Sequence, residues 1–197
     1  MSGPSGAGKG TVIREVLRRR PDVATSVSAT TRPARAGERH GVHYTFVSRE
    51  EFLAVRDRGE FLESAEVYGH LYGTPRGQVD LALAAGRDII VEVDIQGAMA
   101  VKRAMPEAVL VFVEPPSFDE LMSRLRGRAT EDVDSMRRRI EAAYEEVKVK
   151  RIYDYIVVND EVGKAADALI RILDENRSRA AATRDKPSPP NQPHKKE

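Results

Sequence analysis

The sequence predicts an α/β fold, a parallel sheet flanked by helices, and three observations predict it. A glycine-rich turn, Gly3-Pro4-Ser5-Gly6-Ala7-Gly8-Lys9-Gly10-Thr11, runs straight into the amphipathic pattern Val12-Ile13-x-x-Val16-Leu17. After residue 87, short apolar runs bounded by turn residues alternate with helical periods, as parallel strands joined by crossover helices do. Residues 33–74 differ from both, being richer in short strands, and read as an insertion.

Taken in order, Val12 to Arg19 reads as a helix stopped by Pro21, and Thr25 to Ala29 as a short strand. Pro33 to Gly41 is a basic loop, and His43 to Val47 a strand of β-branched and aromatic residues. Ser48-Arg49-Glu50-Glu51 is a capping box that opens a helix ending near Gly59. Phe61 to Tyr72 holds two short strands around Tyr68-Gly69. Thr74 and Pro75 read as an N-cap followed by proline at the first helical position, and that helix ends at Gly86. Asp88 to Asp94 is a buried parallel strand with acids at its C-terminal end, and Ala108 to Val113 another. Ser117 to Glu120 is a second capping box, and Glu131 to Arg151 a long charged helix. Tyr155 to Val158 is the last strand and Gly163 to Asn176 the last helix. Residues 177–197, dominated by charge, proline and alanine, read as a disordered tail.

Residues 1–32 and 75–176 therefore form the core, with 33–74 inserted in it. One feature is out of place. A phosphate loop follows a buried strand, yet only Met1 and Ser2 precede Gly3, so the first core strand is missing ahead of the loop. Met1 stands where an apolar strand residue belongs, which marks it as a misassigned start.

At 197 residues the chain is one domain. With 41% hydrophobic residues it can bury a core, and a net charge of +1 gives no bulk electrostatic case for nucleic acid. The absence of cysteine excludes a disulfide framework and metal–thiolate sites. No apolar run approaches the ~20 residues of a membrane span, and no signal peptide is present. These readings place the chain in the cytoplasm, without membrane or nucleic-acid partners.

The pattern G-x-x-x-x-G-K fits Gly3, Gly8 and Lys9. Glycines let the backbone curl and turn successive N–H groups onto an anion, and Lys9 adds a mobile charge for the β- and γ-phosphates. Residue 10 is glycine where the pattern asks for a magnesium-ligating hydroxyl, and Thr11 lies one place on. No protein ligand to the metal is therefore assigned, and Mg2+ is expected to be held by phosphate oxygens and water. Ser28-Ala29-Thr30-Thr31-Arg32-Pro33-Ala34-Arg35 ends a strand in hydroxyls and two arginines, which suit a fixed phosphate. Alone, that segment also fits a solvated basic loop. Glu92 and Asp94 share one face of a strand and fit either strand caps or a role around magnesium. Arg124 and Arg128 are neighbours if helical, and fit a salt-bridged exposed face.

The run Ser26 to Glu38 closely resembles the nucleotide-binding segment of guanylate kinases, a family with a P-loop NTPase-type core. So do His43 to Val47, Gly59 to Glu63, Tyr72-Gly73-Thr74, Val91 to Gly97, Arg124 to Arg128 and Val157 to Asp160, in the family's order and spacing over residues 3 to about 175. The resemblance implies transfer of the γ-phosphoryl of ATP to GMP with Mg2+. It implies that Gly3 to Thr11 bind ATP and that Lys9 and Arg32 are catalytic. Arg124, Arg128 and Arg139 would then belong to a catalytic lid, about residues 122–142. Arg32, Arg35, Tyr44 and Tyr72 would clamp the GMP phosphate, and Glu92 and Asp94 would line the same GMP site. Ser28, Glu63 and Thr74 would read guanine, the carboxylate accepting from N1–H and N2 and the hydroxyls donating to O6. Asn159 resembles an adenine contact. A related reading is a catalytically inactive, protein-binding member of the family, whose phosphate loop is degraded. Lys9, Arg32, Arg35, Glu92 and Asp94 argue against it.

Overall fold

A computed structural model describes residues 1–126, 148 and 150–184. The core is a parallel sheet with helices on both faces. Strand β1 (Ala24–Thr25) pairs in parallel with β6 (Ile89–Ile90), and β7 (Val111–Glu114) with β8 (Tyr155–Val158). Met1 and Ser2 stitch the two halves together. Met1 N donates to Val91 O at 2.7 Å, and Val93 N to Met1 O at 3.1 Å. On the other side Ser2 N donates to Val111 O at 2.9 Å, and Val113 N to Ser2 O at 2.8 Å. Two residues thus fill the central place of the sheet directly before the loop.

The alternation of β7 decides what covers each face. Val111 and Val113 pack with Val12, Ile13 and Val16 of helix α1 (Lys9–Arg19) and with Ala165, Ala166 and Leu169 of helix α6 (Val162–Arg184). Leu110 and Phe112 turn the other way, onto Ala98 of helix α4 (Ile95–Ala104) and onto Tyr153. Phe112 and Tyr153 rings lie 5.0 Å apart.

A second, four-stranded sheet, ordered β3-β2-β5-β4, combines residues 29–30 with strands of the 33–74 stretch. Its strands are β2 (Ala29–Thr30), β3 (Thr45–Phe46), β4 (Phe61–Val67) and β5 (His70–Pro75). The β4–β5 hairpin turns at Tyr68 and Gly69, both at positive φ (51° and 78°), the backbone of a tight two-residue turn. Helix α2 (Arg49–Asp57) begins in the predicted capping box and lays Phe52 on Phe61, ring centroids 4.6 Å apart. Gly73 makes room for that stack, since a Cβ there would stand 3.0 Å from both rings. Helix α4 packs against β4 and so joins the two sheets. Helices α3 (Arg76–Ala84) and α5 (Phe118–Arg126) and a 3-10 turn (Lys150–Ile152) are also described.

The structure corrects several boundaries. The predicted strand Thr25–Ala29 is two strands, β1 in the core sheet and β2 in the insertion sheet. Thr74 and Pro75 belong to β5, and Pro75 itself caps α3. Of the predicted strand Asp88–Asp94 only Ile89–Ile90 is a regular strand; among the described residues the backbones of Val91 and Val93 bond to Met1 alone, and Asp94 caps α4, an unpredicted helix, by accepting from Gly97 N at 2.7 Å. Ser117 caps α5 through Glu120 N at 3.1 Å, but the Glu120 carboxylate turns to Arg124 instead of closing a box. Residues 177–184 are helical, not disordered. Alanines 180–182 favour helix, and Arg177 ties α6 to Asp22 (3.1 Å) and Asp88 (2.7 Å). Residues 185–197 and most of the predicted helix 131–151 lie outside the described residues. Among the described residues no helix is long and apolar enough to cross a membrane.

Phe112 is fully buried, so Phe112→Ala should cost about 3–5 kcal/mol of unfolding free energy. Leu81→Ala, at a side chain 74% exposed, should change it by less than about 0.5 kcal/mol. Urea denaturation of the two variants beside the parent checks the contrast.

Candidate active site

The loop sits at the C-terminal edge of the core sheet, where open α/β sheets take their ligands. Gly3 has φ 141°, and a Cβ there would collide with Val113 O at 2.0 Å, so only glycine lets the loop leave the sheet at this angle. Helix α1 starts at Lys9 after Gly8 in the left-handed region. Its first N–H groups and its dipole therefore face the cleft mouth. Lys9 Nζ donates to Gly3 O (2.7 Å) and Pro4 O (3.3 Å) and lies 3.9 Å from Glu92 Oε1. The ammonium is thus held across the loop opening. Thr11 Oγ1 accepts from Arg14 Nη2 at 3.1 Å, along the helix surface.

Opposite the loop, across a cleft of about 320 Å³, stand Ser28, Arg35, Tyr44, Glu63, Tyr72 and Asp94. Gly3, Ser5, Gly6, Gly8, Lys9, Gly10 and Thr11 line the near wall, with Glu92 between the two sides. Pro4 and Ala7 are buried within the loop. Glu63 lies on β4 beside Thr74 of β5, their backbones in register. Thr74 Oγ1 donates to Glu63 Oε1 at 2.7 Å, and both side chains are buried. The absence of a side chain at Gly97 admits the carboxylate, since a Cβ there would stand 2.8 Å from Glu63 Oε2. Burial pushes the Glu63 pKa up, the nearby Asp94 adds to this, and the Thr74 hydrogen bond opposes it. Tyr44 and Tyr72 meet edge to face at 5.9 Å, and burial, reinforced by Glu92, pushes the Tyr44 phenol up to about 12.

Arg32 is not on the cleft wall. It is 9% exposed, with its guanidinium over the Tyr44 and Phe46 rings at 5.5 and 5.8 Å. Nη1 donates to Pro33 O, and Nη2 donates to both oxygens of Glu38 at 2.9 Å. Glu38 also accepts from Arg35 N at 2.8 Å. Burial works against the Glu38 charge, yet the Arg35 N–H and Arg32 outweigh it and hold its pKa below the ordinary carboxylate range. One carboxylate thus organises both predicted clamp arginines. It went unassigned because nothing in its spacing distinguishes it from a surface acid. Arg14 and Tyr68, also on the cleft wall, were missed for the same reason.

Two further predicted residues lie off the cleft wall. Asn159 is buried beneath the loop, where Nδ2 donates to Ala7 O at 2.8 Å. Arg124 is held by Glu120 Oε1 (2.8 Å) and Asn159 O (3.2 Å) and does not line the cleft. Arg128 and Arg139 lie outside the described residues. Among the described residues no cluster of three or more His, Cys, Asp or Glu side chains could hold a metal ion.

A raised carboxyl pKa means that the fold favours the neutral acid. The Glu63 contribution to stability is therefore most favourable below its titration and falls as pH rises through the raised value. Glu63→Gln should melt no lower than the parent at pH 8, and the difference between the two should shift toward the parent as pH drops. Calorimetric melts across pH check the sign.

The guanylate kinase family model matches residues 1–176. Guanylate kinase of Desulfitobacterium hafniense (strain Y51) is 50% identical over 173 residues, covering 88% of this chain and 86% of the relative. That of Clostridioides difficile (strain 630) is 42% identical over 181 residues, covering 92% and 88%. The crystal structure of guanylate kinase from Anaplasma phagocytophilum superposes with a TM-score of 0.73 at 36% identity, covering 89% of this chain and 83% of that one. With an intact phosphate loop facing a buried carboxylate–hydroxyl pair, and with matches across nearly its whole folded length, this chain belongs to the guanylate kinase family.

Proposed function

We infer that the chain transfers the γ-phosphoryl group of ATP to GMP, giving ADP and GDP. The observation that carries this reading is the placement of the phosphate loop and the Glu63–Thr74 pair on opposite walls of one cleft. An oxygen of the GMP phosphate bonds to the γ-phosphorus, and the bond from that phosphorus to the β–γ bridging oxygen breaks. ADP leaves with the electron pair. Such transfer depends on positioning and charge neutralisation more than on a general base.

Each role follows from the chemistry at its place. Lys9 and the first N–H groups of α1 take the donor's phosphates. Arg35, Tyr44 and Tyr72 face the acceptor's phosphate, and Arg32 backs them through the Tyr44 ring. Ionised Glu63 accepts from guanine N1–H and N2, a pairing adenine lacks. The Thr74 hydroxyl proton is committed to Glu63, so Ser28 is the hydroxyl that donates to O6. Asp94 caps α4 and borders the base site. Residues 33–74 form the acceptor-binding insertion, and the arginine segment about 122–142 closes over ATP.

The donor set suits Mg2+ held through phosphates and water. Glu92 is a part-exposed carboxylate on the cleft wall, 4.0 Å from the place a residue-10 Cβ would take. Bound there, Mg2+ would supply charge neutralisation for the donor's phosphates. Glu92 would face its water shell, as hard cations that keep their waters prefer. The inactive, protein-binding reading finds no support in a loop with Lys9 and all its glycines in place.

Lys9→Met should fold normally and lower kcat by about 100- to 1000-fold, the order for one electrostatic donor. Near-normal turnover in a folded variant would remove the loop from the mechanism. The parent should prefer GMP to AMP by about 10⁴ or more, since a polar site built for one base rejects its analogue. Glu63→Gln should erode that ratio without weakening ATP. Because the ionised form reads the base, GMP affinity of the parent should fall as pH drops through the raised Glu63 pKa, and the variant should keep only the weaker dependence that the GMP phosphate itself contributes.

A further inference from the structure

Asn159 is attached at three points. Its backbone N–H donates to Glu114 O at 2.8 Å, at the end of β7. Its side-chain Nδ2 donates to Ala7 O at 2.8 Å, inside the phosphate loop. Its backbone oxygen accepts from both Nη atoms of Arg124 at 3.2 Å. The side chain is 3% exposed, and its Oδ1 has no hydrogen-bond partner among the described residues. The bond to Ala7 is therefore what sets the amide's orientation. Contact with the loop is close, since a Cβ on Gly8 would lie 2.3 Å from Nδ2.

We propose that Asn159 is the positioning residue that aims the Gly8 amide at the donor's phosphates. A trans peptide is planar, with its C=O and N–H pointing in opposite directions. Pulling the Ala7 carbonyl down onto Nδ2 turns the N–H of the same peptide, that of Gly8, up toward the cleft. Gly8 lines that cleft and precedes the first residue of α1, where unpaired N–H groups gather. Through Arg124 the same residue ties the root of the 122–142 segment to the loop. The glycines make the loop deformable, so its correct curl needs an outside brace, and the end of β8 supplies one.

The inference rests on the reading that residues 3–11 carry the ATP phosphates. The test uses Asn159→Ala and Asn159→Asp in the full chain. The probes are inorganic tripolyphosphate, ATP, ITP and GMP, titrated calorimetrically beside steady-state kinetics. Tripolyphosphate and ITP should weaken by a common factor of about 10, the usual order for a group that orients a binding group, and ATP by at least as much. The KM for GMP should stay at its parental value. In Asn159→Asp the loss should shrink relative to the parent as pH falls, because a protonated carboxyl can donate to Ala7 O again. A loss confined to ATP, with tripolyphosphate unchanged, would overturn the proposal in favour of an adenine contact. Equal weakening of GMP would reduce the residue to a general structural role. Lys9→Met serves as the control. If it leaves tripolyphosphate binding intact, the loop reading itself fails. If it abolishes binding while the Asn159 variants do not, only the brace fails.

Discussion

Everything in this molecule depends on presenting backbone N–H groups to a highly charged phosphate chain at the end of a parallel sheet. Such groups point the right way only where a strand ends, the chain curls, and a helix begins. Residues 1–9 meet that requirement in very little chain. Ser2 is hydrogen-bonded into the sheet, Gly3 turns against Val113 O, and α1 starts at Lys9. The apolar residues of α1 and α6 then lock the helix onto the sheet from one side. The loop thus curls between a stretch hydrogen-bonded into the sheet and a helix packed on it.

The second constraint is the opposite one, a carboxylate held away from water, which the proposed function assigns to reading the base. Burial raises the pKa of Glu63, so the fold works against the charge that this role would need. A hydrogen bond from Thr74 and the open space at Gly97 make the arrangement tolerable. Arg32 shows the same strategy with the sign reversed. It is nearly buried, and Glu38, Pro33 O and two aromatic rings surround it. Glu63 finds Thr74 on the neighbouring strand and Arg32 finds Glu38 six residues on, so both buried charges have partners close at hand.

Much of this was legible in the residues. The loop is visible because glycine spacing and lysine report backbone geometry directly, and the Ser48 capping box because it is purely local. Of the residues expected to face the two substrates, Ser28, Arg35, Tyr44, Glu63, Tyr72 and Asp94 line one cleft with the loop, whereas Arg32, Arg124 and Asn159 do not. Other features depend on contacts far apart in sequence and leave no local trace. Thr25 to Ala29 alternates like one strand, yet its two ends pair with different sheets. Asp94 ends an apolar run, which hides its role as a helix cap. Thr74 could donate to a base or to Glu63, and only the register of β4 on β5 decides between them. Asn159 could face either side of its strand end, and the loop 152 residues away determines which.

The central claim is that the phosphate loop and the Glu63 pocket are two halves of one site, sized for a donor and an acceptor in line. A bisubstrate analogue tests it most directly, with adenosine and guanosine joined by a pentaphosphate, against the counterpart carrying two adenosines. Linking two ligands that bind one cleft makes the second contact intramolecular and raises affinity by orders of magnitude. The account predicts that the adenosine–guanosine compound binds far more tightly than ATP or GMP alone, and that the diadenosine compound gains little. Equal affinity for the two compounds, or no gain over ATP, would contradict it.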